Sequence, residues 1–359
     1  TEKKEGTPML QEMLQQISPL DSAAMETARQ HWDAIAKPLH SLGRLEDLVV
    51  QLAGITGTAN LPPRKKAVLI FCADNGVVAE GVTQTTQAVT AAVTRNFTMG
   101  IASVNALSRV CGADVFPVDI GVAEELHCDG IISRKIAAGT RNFAHEPAMT
   151  REQAERAILT GIALVGEKVA AGYNLIITGE MGIGNTTTSS AVAAVLLGQP
   201  VERMTGRGAG LSDEGLARKV DAICRGILRN KPDPTDPLDV LAKLGGFDLA
   251  GLCGVFLGGA LEGVPVVMDG FISGVAALCA VWLCPAAAKA VFASHCSSEP
   301  AARLVLDALG KAPLLTAGLH LGEGTGAVAS LPLWDMALAV YDHCYSFAEG
   351  GITPYIPQC

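Results

Sequence analysis

The sequence predicts an α/β fold: a doubly wound, mostly parallel sheet with flanking helices, plus a small helical domain built from both termini. Three observations predict it. From residue 66 to about 330, short runs rich in Val and Ile alternate with longer helical patterns, the rhythm of a parallel sheet whose strands are buried on both faces. Four of those runs end in an acid and a nearby glycine. Both ends of the chain read as amphipathic helices, so residues 1–60 together with 331–359 are expected to form the small helical domain and 61–330 the α/β domain.

Taken in order, SPLDSAAMETARQHWDAIAK places capping candidates at Ser18 and Asp21 ahead of apolar residues at helical spacing. A second helix is expected from Ser41 to about Ile55, and the C-terminal run LPLWDMALAVYDHCYSF is a third amphipathic segment. Between them KAVLIFCAD stops at Asp74 before Gly76, VFPVD at Asp119 before Gly121, LIITGE at Glu180 before Gly182, and VPVVMD at Asp269 before Gly270. Ligands of open α/β sheets bind outside the carboxyl ends of the strands. The acids there either cap the helices that follow or meet a ligand, through ribose hydroxyls or through Mg2+.

Composition removes several classes. The chain has 359 residues, 49% of them hydrophobic and 18% charged, enough for a large buried core. A net charge of −9 without basic clusters is wrong for a nucleic-acid surface. The N-terminus, TEKKEGTPMLQEMLQQ, lacks the apolar run of a secretory signal, which points to the cytoplasm. Ten cysteines stand singly with no C-x-x-C pair, as expected of reduced, buried thiols. The seven histidines show no metal-ligand spacing, so neither a metal site nor a cofactor is expected. The uncharged run from 270 to 288 is near the length of a membrane span. Gly270, Ser273, Gly274 and Pro285 interrupt it, and a buried helix of the α/β domain accounts for it better.

Three stretches carry the chemistry. In NLIITGEMGIGNTTTSS, residues 174 to 190, a buried strand passes through a glycine-rich turn into a helix. From Gly179 it nearly matches the triphosphate-binding loop, but Asn185 and Thr186 stand where that pattern has lysine and threonine. Backbone N–H groups after Gly184, with the hydroxyls of Thr186 and Thr187, suit an anion at a helix N-terminus. Without the lysine that anion is a monophosphate rather than ATP; the bland alternative is a tight turn capped by threonines. The second stretch, TGRGAGLSDEGLARKV at 205 to 220, is another loop entering a helix and brings Arg207, Arg218 and Lys219. In the third, LHLGEGTGAVAS at 319 to 330, Glu323 stands between Gly322 and Gly324. A carboxylate in such apolar, glycine-rich surroundings is exposed enough to meet a ligand and desolvated enough for a raised pKa, as a general base requires. The alternative is a turn glutamate pointing into water.

ADNGVVAEGV at 73 to 82, GEMGIGNTT at 179 to 187, TGRGAGL at 205 to 211, KLGGFDLAGLCG at 243 to 254, MDGFISG at 268 to 274, SHCSSEPAA at 294 to 302 and LGEGTGA at 321 to 327 together resemble the motifs of the nicotinate-nucleotide:dimethylbenzimidazole phosphoribosyltransferase family. The resemblance implies transfer of phosphoribose from nicotinate mononucleotide to an aromatic base, with release of nicotinate, by a homodimer. It implies that Gly182 with its neighbours Gly184, Asn185 and Thr186, and with Gly208, Lys219 and Ser297, holds the single phosphate. It makes Glu323, next to Gly322, the catalytic base and Glu180 a second acid near the ribose. Thr85, Val93 and Leu321 fall at an apolar base pocket, and Asp269 is a further strand-end acid for the substrate. The chain departs from the family pattern at Asn75, at Leu39-His40 and at Thr85-Thr86. Two other classes fit parts of the sequence. A dinucleotide-dependent oxidoreductase would need a third glycine where Thr187 stands, and a non-catalytic nucleotide-binding regulator would keep the phosphate loops without depending on Glu323. Purines and phenols are alternative acceptors for the same transfer.

Overall fold

The strand-forming runs line up in a single sheet. In the computed structural model, which describes residues 8–355, β1 (Lys66–Ala73), β2 (Ala113–Gly121), β3 (Ile132–Ser133), β4 (Leu175–Met181), β5 (Val266–Met268) and β6 (Val291–Ala293) are ordered β3-β2-β1-β4-β5-β6. Every neighbouring pair is parallel. The chain winds outward from β1 to β3, then returns to lay β4 against the other side of β1, so the strand order reverses between β1 and β4. A crevice opens at such a reversal. β1 and β4 are buried along their whole length, as their apolar sequences require. Four strands carry the runs read from the sequence. β3 and β6, of two and three residues, are too short to leave a periodic signal.

Close helix packing fixes what lies behind the crevice. Helices Arg151–Ala170 and Phe247–Glu262 touch backbone to backbone. A Cβ at Gly161 would stand 2.1 Å from the Gly251 carbonyl oxygen, and one at Gly254 would stand 1.9 Å from that of Ile158. The uncharged run after β5 forms the helix Phe271–Leu283, 13 residues long and largely buried. Among the described residues no helix is long and apolar enough to cross a membrane.

The two ends of the chain meet. Helix Ser22–Ala34 is capped by Asp21, whose carboxylate accepts from the Ala24 N–H at 2.9 Å; Ser18 does not cap it. The second N-terminal helix runs Arg44–Thr56. His31 Nε2 lies 2.7 Å from the Tyr341 carbonyl oxygen, and Ile35 pairs with Ser346. The C-terminal helix begins earlier than its amphipathic run, covering Thr325–His343, so it crosses position 330 and carries the Glu323 loop at its N-terminus. The nine cysteines in the described part are free, with Cys224 and Cys344 exposed rather than buried. Cys359 and the charged start of the chain, residues 1–7, lie outside the described residues.

Candidate active site

A cleft of about 720 Å3 lies at the carboxyl ends of β4, β5 and β6, a size suited to a small organic ligand. Of the residues singled out in the sequence, Glu180, Gly182, Gly184, Asn185, Thr186, Gly208, Asp269, Ser297, Leu321, Gly322 and Glu323 line it. Thr85, Val93 and Lys219 do not. Thr85 is exposed beyond Thr83 and Gln84, which do reach the cleft. Val93 is half-buried on helix Ala88–Thr98 and packs against the core.

Lys219 stands one layer back. Fully buried on helix Asp213–Asn230, it donates to Thr186 Oγ1 at 2.8 Å and to the Gly206 carbonyl at 3.0 Å. It therefore joins the two glycine-rich loops from behind. Burial lowers its pKa to about 8. Gly184, at φ +92°, turns β4 into helix Asn185–Leu197, a conformation that only glycine adopts freely. In the first turn the Asn185 N–H donates to the Gly182 carbonyl at 3.0 Å and the Thr187 N–H to that of Gly184 at 2.9 Å, so it is Thr186, with its hydroxyl, that lines the cleft at the positive end of the helix. Gly208 closes the same corner, since a Cβ there would lie 3.0 Å from Thr186 Oγ1 and 3.5 Å from Lys219 Nζ.

The opposite wall is acidic. Glu323 has φ +60° between Gly322 at +85° and Gly324 at +86°, three left-handed residues in a row and a costly place for a glutamate. The strand-end acid Asp269 holds this turn. Its carboxylate accepts from the Gly324 N–H at 3.1 Å and the Ala327 N–H at 2.9 Å. Asp269 thus caps a helix, but the C-terminal one rather than the helix that follows β5. Burial raises the Asp269 pKa and lowers that of His295, whose Nδ1 is 3.9 Å away. Glu323 Oε2 is buried and has no hydrogen-bond partner among the described residues. Burial, then the charge of Asp269, raises its pKa.

Glu180 reaches the cleft from the end of β4, with its Oε1 so close to Gly322 that a Cβ there would stand 2.4 Å from it. Burial, with the charges of Asp248, Asp269 and Glu323, pushes its pKa up to about 8. The two remaining strand-end acids hold loops instead. Asp74 accepts from the Ala123 N–H at 2.8 Å, and Asp119 from the Val122 N–H at 2.9 Å.

A family model described as a phosphoribosyltransferase, DBI_PRT, matches residues 17–352. The chain is 48% identical over 350 residues to the nicotinate-nucleotide–dimethylbenzimidazole phosphoribosyltransferase of Acetivibrio thermocellus, covering 98% of this chain and 100% of that protein. The chain belongs to this phosphoribosyltransferase family. Its Chloroflexus aggregans member is 47% identical over 347 residues, covering 96% of this chain and 98% of that one. The crystal structure of CobT from Thermus thermophilus superposes with a TM-score of 0.88 at 40% identity, covering 93% of this chain and all of that one.

Within this phosphoribosyltransferase several cleft residues carried no signal of their own in the sequence. Val82, Leu211, Phe271 and Ile272 supply apolar lining from loops and helix starts where periodicity is silent. Behind the cleft, Asp248 at the start of the apolar helix FDLAGLCGVFLGGALE did carry a signal: a charge in such a segment needs a partner.

Proposed function

We propose that this chain transfers the phosphoribosyl group of nicotinate mononucleotide to 5,6-dimethylbenzimidazole or a related aromatic base, giving the α-nucleotide and releasing nicotinate, with Glu323 as the general base. The observation that carries the residue assignment is the placement of Glu323. Its carboxylate is raised in pKa, leaves one buried oxygen unpaired, and lines the same cleft as a lysine-backed anion corner.

The single 5′-phosphate would sit on the Gly182–Thr186 turn with Gly208 and Ser297, and Lys219 would supply charge from behind. A lone phosphate on a helix N-terminus needs no cation clamp. The ribose would lie along Glu180 and Asp269. The acceptor ring would enter beside Leu321, an apolar residue that is 60% exposed at the cleft; covering it and the rings near it is favourable at about 25 cal/mol per Å2.

The chemistry needs one strong base. The C1–N bond to nicotinate breaks with its electron pair passing to a ring nitrogen that is already cationic, so the departing ring becomes neutral and needs no acid. One nitrogen of the azole attacks C1 from the opposite face, converting a β linkage to α. The proton on the other nitrogen passes to Glu323. General base catalysis of this kind contributes roughly 10^2- to 10^4-fold, and holding base and ribose in line supplies more. On the family pattern the chain works as a homodimer; we read it as cytoplasmic, with the helices near both ends of the chain forming a small helical domain.

Incubation with nicotinate mononucleotide and a panel of benzimidazoles, purines and phenols, with products identified by mass, tests the reading. A dimethylbenzimidazole nucleotide is expected. No transfer to any acceptor, or binding that prefers ATP or NAD to the mononucleotide, overturns it.

A further inference from the structure

Asp248 takes no part in the reaction as written, yet it is fully buried directly behind the cleft. Its Oδ1 accepts from the Leu249 N–H at 2.9 Å, and its Oδ2 accepts from Asn185 Nδ2 at 3.1 Å. The same Asn185 nitrogen donates to Glu180 Oε2. One amide group therefore ties a carboxyl group in the cleft wall to another behind it.

The space around this pair is closed. A Cβ at Gly246 would lie 2.3 Å from Asp248 Oδ1 and 2.5 Å from Asn75 Oδ1, and one at Gly182 would lie 2.6 Å from Asp248 Oδ2. Asn75 Oδ1 is itself buried without a partner among the described residues. Glu180 is faced by Asp248 from the helix Phe247–Glu262, by Asp269 from the end of β5, and by Glu323 from the loop before the C-terminal helix. Asp248 is faced in turn by Asp74 from the end of β1. Carboxyl groups this crowded and desolvated cannot all be ionised.

We propose that Asp248 is a positioning residue for the transfer: through the Asn185 amide it fixes the Glu180 carboxyl group in the cleft wall and, carrying the charge of the pair itself, keeps Glu180 protonated as a hydrogen-bond donor to the substrate. The inference rests on the phosphoribosyl-transfer reading of the cleft. It divides the labour between the two cleft glutamates, since a neutral Glu180 leaves Glu323 free to ionise and act as base. The geometry agrees: Asn185 donates to Oε2 of Glu180 and leaves Oε1 turned to Gly322 in the cleft wall, and burial raises the pKa of both Glu180 and Asp248, so the two do not ionise together.

The test is the pH profile of kcat/KM in the wild type and in Asp248→Asn, which keeps the shape and removes the charge. In the wild type an alkaline limb is expected near pH 8, where Glu180 and the phosphate-side Lys219 both lose protons, and only the Glu180 part answers to Asp248. In Asp248→Asn that limb should move to lower pH by about one unit, the effect of removing a like charge in contact, so turnover just above the limb drops about tenfold. The acid limb, which belongs to Glu323, should stay. A merely structural role would lower activity without moving one limb alone, and an unmoved alkaline limb overturns the proposal. Difference infrared spectroscopy gives a second reading independent of turnover and of how Asp248→Asn folds. Wild-type protein at neutral pH should show a protonated-carboxyl band that Glu180→Gln lacks, and its absence from the wild type also overturns the proposal. If the wild type transfers no phosphoribose yet shows the band, the function reading has failed and the proton assignment stands.

Discussion

The Lys219 ammonium donates a hydrogen bond to the Thr186 hydroxyl at 2.8 Å, so the positive charge missing from the first glycine-rich loop reaches it from a helix that starts some thirty residues later in the chain. A sequence pattern read within one loop sees only the missing lysine. The fold supplies charge to the loop from behind, through the Thr186 hydroxyl.

Lys219→Met should therefore weaken nicotinate mononucleotide binding by about tenfold or more, since hydrogen bonds to charged groups are worth about 1.5–3 kcal/mol. The loss should appear in KM more than in kcat. Because burial lowers the Lys219 pKa to about 8 in the free protein, wild-type affinity should fall as pH rises through that value and the ammonium loses its proton. Calorimetry across pH checks both. Equal affinity in the variant, or no pH dependence near 8, would show that the phosphate sits elsewhere.

Asp269→Ala should release the Glu323 turn. Two backbone N–H groups lose a charged acceptor, and the variant should unfold with a stability lower by about 3 kcal/mol. With the turn loosened, Glu323 leaves its left-handed conformation, so kcat should fall further than KM rises. Thermal unfolding and steady-state kinetics on the same preparation separate the two effects. An unchanged Tm would mean that Asp269 does not hold the turn.

How much of this was legible depends on how locally each feature is encoded. β1 and β4 were readable because their apolar runs are long and buried on both faces. The turn after β4 and the Glu323 turn were readable because glycines at fixed offsets announce positive φ, as at Gly184, Gly322 and Gly324. The Asn185 bridge between Glu180 and Asp248 was not, since it joins residues 5 and 63 positions apart and depends on which strand the chain returns to after β3. The likeness to a known family singled out Glu180, and the strand-end pattern singled out Asp269 with Asp74 and Asp119. Only the topology shows that Asp74 and Asp119, identical in local pattern, bond the loops beyond β2 instead. Val93, expected at the base pocket, lies on a helix packed against the core and does not line the cleft.

Gly322→Ala tests the contact between the two glutamate-bearing segments. The added methyl would stand 2.4 Å from Glu180 Oε1 at a φ of +85°, strained for any residue with a side chain. Either Glu180 or the Glu323 turn must shift. The variant should fold, with stability lower by about 1 kcal/mol for the backbone strain alone, and should lose about 10^2-fold in kcat, the penalty of misplacing reacting groups by about an ångström. Near-normal kcat would show that Glu180 and Glu323 need not be held together.

The decisive test of mechanism is Glu323→Gln. An amide keeps the size and shape of the side chain in its left-handed turn but cannot accept the azole proton, so the variant should fold and bind nicotinate mononucleotide while losing about 10^2-fold or more in turnover with a benzimidazole. The pH dependence fixes the sign. A base works as the carboxylate, and burial with the Asp269 charge raises the Glu323 pKa above the ordinary glutamate value, so wild-type kcat/KM should fall as pH drops through that raised pKa. In Glu323→Gln the residual activity should no longer show that acid limb. If Glu323→Gln keeps near-normal turnover while Glu180→Gln abolishes it, with both variants folded and both binding the nucleotide, the proton goes to Glu180 and the assignment of Glu323 is wrong.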